Sequence, residues 1–165
     1  MAGVLQIHEM TDTDTGVDKT SGTVRFKSAD ETNTGTTNKL TITDGAEDFS
    51  YTKQLRAYVE TVPSVVFENL IAYTDGDGFA DAALTVEYDV DETWAANVDT
   101  DIAGTDLFTK VDTDAISLDT SDTEHLNGDG QGYWGEHLRL QLGILSTADP
   151  GTLTAETLTF AYDET

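Results

Sequence analysis

The chain has 165 residues, with 32 Asp and Glu against 8 Lys and Arg, a formal net charge of −24. It has no Cys, which excludes disulfides, thiolate nucleophiles and Cys-ligated metals, and its two Pro and fourteen Gly exclude collagen-like and Pro-rich classes. Six Phe, six Tyr, two Trp and a 38% hydrophobic share set it apart from acidic disordered chains and give it the means to build one core.

An ordinary soluble domain of this size carries a net charge of about 2–8. Repulsion at −24 destabilises a compact state in dilute buffer. The Debye length falls from about 10 Å at 0.1 M salt to about 3 Å at 1 M. The composition therefore points to a halophile's protein, working where repulsion is screened. The same acidity argues against binding nucleic acid, which needs cations to neutralise phosphates. No apolar run approaches the roughly 20 residues of a membrane span. Residues 1–9 lack a basic, then long apolar, leader, so no membrane association and no export signal are expected, and synthesis and assembly are placed in the cytoplasm.

In chain order, residues 1–20 are polar and Asp/Thr-rich (Thr11-Asp12-Thr13-Asp14-Thr15) and read as an N-terminal arm that orders only against a neighbour. Residues 21–165 read as one β domain, because their apolar residues recur with period two. Val24 and Phe26 alternate with Arg25 and Lys27, and Leu40 and Ile42 with Thr41 and Thr43. Residues 51–59 alternate strongly, and 65–73, from Val65 to Tyr73, form a nearly continuous apolar run suited to a central strand. Residues 84–90, 138–144 and 158–162 alternate again. Residues 91–122 are a long, weak stretch with candidate strands at 107–111 and 115–118, and a single helical turn at 92–97. Turn clusters such as Asp44-Gly45 and Asn127-Gly128-Asp129-Gly130 separate the runs. The sum is an all-β fold, an antiparallel β-sandwich or jelly roll of about seven to nine strands.

Chemistry-bearing patterns are sparse. Asp75, Asp77 and Asp81 alternate in a Gly loop and are candidate ligands for Ca²⁺ or another hard cation. Phe79 and Ala80 stand where an EF-hand needs an acid and a Gly, and a solvated hairpin turn explains the same residues. Asp12-Thr13-Asp14-Thr15-Gly16-Val17-Asp18 departs similarly. His8, His125 and His137 show no metal-ligand spacing, though His125 and His137 flank one Gly-rich loop. There is no Gly-x-Ser-x-Gly elbow and no phosphate loop, so no enzyme signature and no cofactor site are expected. Tyr133 and Trp134 end a Gly-rich segment and are candidate contacts for a glycan or protein groove; alternatively Trp134 plugs one end of the sandwich, and Trp94 has the same two readings. Arg56 and Arg139, on the polar phase of strong strands, are either partner contacts or ordinary cross-strand ion pairs.

The C-terminal third carries a resemblance. Leu138-Arg139-Leu140-Gln141-Leu142 leads through Thr147-Ala148-Asp149-Pro150-Gly151 to Leu158-Thr159-Phe160-Ala161-Tyr162-Asp163-Glu164. This resembles the end of small β-sandwich structural proteins encoded by tailed viruses, and Val62-Pro63-Ser64 with Phe67-Glu68-Asn69-Leu70 is similar to the same group. With the acidity, the resemblance implies a virion protein of a tailed virus of halophilic archaea. It would be a capsid decoration, cement or turret subunit, or a tail component, that contacts the major capsid protein and sister copies. A trimer or pentamer would suit capsid axes. The resemblance implies no site residues, because such proteins act through their surfaces.

Overall fold

A computed structural model describes residues 2–11, 15–64, 66–151 and 153–165. The expectations that involve Asp12, Thr13, Asp14 and Val65 lie outside the described residues. The described chain is all-β, with two antiparallel sheets. Its strands are β1 Val4–Met10, β2 Gly16–Asp18, β3 Asp48–Phe49, β4 Lys53–Thr61, β5 Val66–Tyr73, β6 Leu84–Asp91, β7 Thr105–Asp106, β8 Ile116–Ser117, β9 Glu124–Leu126, β10 Gly132–Ile144 and β11 Thr159–Glu164. The large sheet runs β2-β1-β4-β10-β6-β7, with β3 also on β10; the small sheet centres on β5, flanked by β11 on one edge and β8 and β9 on the other.

The alternating apolar residues form the core between the sheets. Leu55, Ala57 and Val59 of β4 and Leu138, Leu140, Leu142 and Ile144 of β10 meet Phe67, Leu70 and Ala72 of β5. Trp134 is fully buried and stacks on Phe67 across the two layers, ring centroids 6.1 Å apart at 20°.

Val4–Met10 and Gly16–Asp18 belong to the large sheet and do not form a separate arm. β1 pairs along its length with β4, with Leu5 opposite Val59 and Ile7 opposite Ala57, and β2 folds back on β1. The strand is hard to see in sequence because its third core-facing position is a charge, Glu9, opposite Leu55. The alternating segments at 24–27 and 40–43 also differ from expectation: neither pairs as a strand. Val24, Phe26 and Leu40 nevertheless pack partly buried against the core, so their apolar phase is used without a hydrogen-bonded ladder.

Within residues 91–122, the expected turn at 92–97 is irregular, and the expected strand near 107–111 is a 3₁₀ turn, Leu107–Thr109. This excursion covers the outward face of the large sheet around Thr52, Gln54 and Gln141. Thr52 N–H donates to Val98 O at 2.8 Å, Gln54 Nε2 to Asn97 Oδ1 at 2.7 Å, and Ile102 N–H to Gln141 Oε1 at 3.0 Å. Gln54 and Gln141, on the polar phase of β4 and β10, are thereby buried and hydrogen-bonded.

β10 carries a bulge between Trp134 and Leu138, where it leaves register with β4. Gly135 there has φ +73°, and a Cβ on it would lie 2.3 Å from Leu118 O. The bulge turns Glu136 to the loop after β8, where its carboxylate accepts from Thr120 Oγ1 at 2.7 Å and Ser121 N–H at 2.6 Å. Burial alone would raise the Glu136 carboxyl, but these hydrogen bonds outweigh it and hold the group below its ordinary value.

Candidate recognition face

The outward side chains at one end of β1, β4 and β10 form an aromatic and cationic cluster. Gln6 and His8 come from β1, Arg56 and Tyr58 from β4, and Tyr133 from β10; the register sets Tyr133 beside Tyr58, Tyr58 beside Gln6, and Arg56 beside His8. All five are partly exposed. His8 stacks on Tyr58, centroids 4.7 Å apart at 14°, and Tyr133 meets both edge-on at 5.6 and 5.2 Å. Arg56 Cζ lies 5.5 Å from the Tyr133 ring centroid, and its Nε donates to Gly135 O at 2.8 Å, tying the cluster to the β10 bulge.

A hydrogen-bond chain orders these rings. Gly16 N–H donates to Tyr133 Oη at 3.0 Å; the phenol sits 3.3 Å from His8 Nδ1, and His8 Nε2 sits 2.9 Å from Gln6 Oε1. The Tyr hydroxyl donating to Nδ1 and Nε2–H donating to the amide oxygen satisfies every group with a neutral imidazole. Burial lowers the His8 pKa, which Asp18 and Glu60 only partly oppose, so the neutral form prevails at pH 7.

The candidates from sequence fall into different places. Arg56 and Tyr133 come together on this face. Trp134 does not join them: alternation along β10 sends it into the core, where Nε1 donates to Asp122 O at 2.8 Å, so the expectation of a ligand contact there is corrected to a structural role. Arg139 lies on the same sheet face and pairs with Asp91 at 2.9 Å and Asp89 at 3.7 Å, a cross-strand ion pair with β6. Trp94 is half-buried, with Nε1 donating to Thr11 O at 3.2 Å.

The loop acids do not converge. Asp75 Oδ1 accepts from Asp77 N–H at 3.0 Å, while Asp81 accepts from Ala83 N–H at 2.9 Å and Asp149 N–H at 2.8 Å, contacts that lower its pKa. Asp81 thus clips the start of β6 to the loop after β10. Among the described residues no group of three or more His, Asp or Glu side chains could hold a metal ion, so Asp75, Asp77 and Asp81 are turn-forming residues in this arrangement. His125 sits in β9 with Nε2 2.7 Å from Gly130 O, and His137 is buried in β10 opposite Asp91.

A second polar cluster, absent from the sequence reading, closes one end of the sandwich. Glu9 Oε1 pairs with Lys53 Nζ at 3.0 Å and Glu9 Oε2 with Lys19 Nζ at 3.3 Å, with both Glu9 and Lys53 about 1% exposed. Lys53 also donates to Glu31 O at 2.7 Å and Lys19 to Thr32 O at 2.6 Å. Lys27, itself buried, reaches Glu31 Oε1 at 2.8 Å and Asn33 Oδ1 at 2.7 Å. Three of the five lysines are thus spent on fastening residues 31–33 over the end of the core.

Among the described residues no helix is long and apolar enough to cross a membrane. No protein-family model matches the chain, and neither the curated proteins nor the solved structures give a match.

Proposed function

We propose that the chain is a non-enzymatic structural subunit of the particle of a tailed virus of halophilic archaea, a capsid decoration, cement or turret subunit that binds the capsid shell and sister copies. The observation that carries the reading is the face built by His8, Arg56, Tyr58 and Tyr133. Aromatic residues and Arg are the types enriched at protein contacts, and here they are held in fixed rings on three adjacent strands of a chain otherwise coated with carboxylates. The resemblance of residues 138–164 to small virion sandwiches supplies the particle as the setting. A place in the tail or at the head–tail junction is the variant of the same reading.

The stacked His8–Tyr58 pair also favours a second reading, a host-surface glycan module, because sugars pack on aromatic faces. One pair of substitutions separates them. Arg56→Glu with Tyr58→Ser removes the partly exposed cation and ring of this face. Under the structural reading the variant folds, by circular dichroism, yet its incorporation into purified particles falls at least about tenfold, the loss of one hot-spot contact. Full incorporation with lost adsorption to host cells supports the glycan module, and full incorporation with normal adsorption contradicts both.

A further inference from the structure

We propose that the space between the sheets is a binding site for a single-chain amphiphile with an anionic headgroup. A cavity of about 890 Å³ opens where the irregular segments 19–42, 148–151 and 153–158 pass over the core. That volume falls within the roughly 300–1,000 Å³ of small-molecule sites. Its deep wall is the apolar row of β10 and β6, including Leu140, Leu142 and Val86, with Phe79, Phe108 and Phe160 on the facing side. Ile42 and Leu153 at its rim are 38% and 39% exposed, so the apolar surface continues to the mouth.

Charge specifies the head. Four of the chain's eight cations line this cavity, Lys19, Arg25, Lys27 and Lys39, against only two of its 32 acids, Asp149 and Glu156. Lys19 and Lys27 are engaged by Glu9 and Glu31. Arg25 and Lys39 are exposed, and among the described residues neither has a carboxylate within ion-pair distance, although the chain has four acids for every base. An anion approaching this acidic molecule meets repulsion over most of its surface, and two uncommitted cations beside an apolar chamber. A carboxylate or sulfate head at Arg25 and Lys39 with its chain along the partly buried Phe26, Leu40 and Leu158 satisfies both features. The alternating pattern Val24-Arg25-Phe26 places apolar groups on the core and the cation outward.

The test uses 11-(dansylamino)undecanoate and its methyl ester as fluorescent probes, in about 2 M KCl, where the Debye length is about 3 Å or less and only direct contact counts. The full chain is expected to bind the carboxylate saturably, with a blue-shifted emission reversed by dodecanoate, and to bind the ester about tenfold more weakly. Arg25→Glu with Lys39→Glu, both exposed positions, is expected to remove that preference while ester binding persists. Leu40→Trp, which fills the chamber from its partly buried wall, is expected to abolish binding of both; if that variant does not fold, the charge-reversed variant decides alone. Absence of saturable binding, equal affinity for acid and ester, or an unchanged preference after charge reversal would overturn the proposal.

Discussion

Glu9 and Lys53 occupy the rows of β1 and β4 that face the core, positions where Leu5, Ile7, Leu55 and Ala57 stand further along. Removing one partner of a buried ion pair leaves the other charge desolvated and uncompensated, at a cost of about 3–5 kcal/mol. Glu9→Gln is expected to lose stability on that scale in chemical denaturation, whereas Arg139→Gln, whose partners Asp89 and Asp91 are 47% and 32% exposed, is expected to lose under about 1 kcal/mol. Equal losses would refute the distinction. Glu31 adds a pH signature. The Lys27 ammonium, followed by Asn38, Asn33 and Thr37, holds its carboxyl down from 4.5 to about 2, against the opposing effect of burial. A lowered carboxyl contributes stability that is present above its unfolded value and lost as pH falls through the folded one. The Glu31 side-chain resonance should therefore titrate near 2, with the contacts of residues 31–38 opening there; titration near 4.5 would show the cluster is not formed. Arg56 was legible in the sequence because it falls on the polar phase of a strong strand, and Tyr133 because it stands in a Gly-rich segment. His8 and Tyr58 fall on the same phase, and the cue that would have found them is that alternation aligns them across neighbouring strands. Trp134 was ambiguous because the glycines before it read as a loop, although a residue adjacent to Tyr133 in a strand must face the other way.

β10 shows what local geometry adds to that pattern. Its bulge needs Gly135 at φ +73° against Leu118 O, whereas Gly45, at φ +76°, has no heavy atom within 4 Å of an added Cβ. Both positions strain an L-residue, by about 1–3 kcal/mol, but only Gly135 adds a backbone overlap. Gly135→Ala is expected to lower the melting temperature far more than Gly45→Ala and to loosen the Trp134–Asp122 and Glu136–Ser121 contacts; comparable melting temperatures would contradict this. The strong strands β4, β6, β10 and β11 were readable because each has an apolar face with period two, and β5 because its apolar run is nearly continuous. The short strands β2, β3, β7 and β9 were not, since two or three residues have no period and their place depends on a partner strand. At 24–27 and 40–43 the period was real, yet the segments lie across the open side of the sandwich instead of beside a strand edge, and alternation alone does not distinguish these outcomes.

Across the whole molecule the acids form a coat: of the described carboxylates, only Glu9 and Glu136 are buried. Screening should therefore set stability, with a melting temperature that rises strongly between about 0.1 and 2 M KCl; an unchanged value would refute the halophilic reading. Mild acidification in low salt should act in the same direction. Glu87 is raised by burial, with Asp101 and Glu47 adding to the rise and the Gly104 N–H opposing it. A raised carboxyl contributes stability that is fully present below its unfolded value of 4.5 and lost as pH rises through the folded value. Lowering the pH from 7 towards 5 is thus expected to raise the low-salt melting temperature, and a fall would contradict the assignment. The β-sandwich was legible at this scale because composition, turns and period agreed. The candidate recognition face was not, because it exists only where three strands meet. The most direct measurement of the proposed role is the copy number of this chain in particles purified by density gradient in high salt. A fixed, multi-copy ratio to the shell protein that survives the gradient is expected; a chain absent from particles and recovered only as a free monomer would rule out the proposed role.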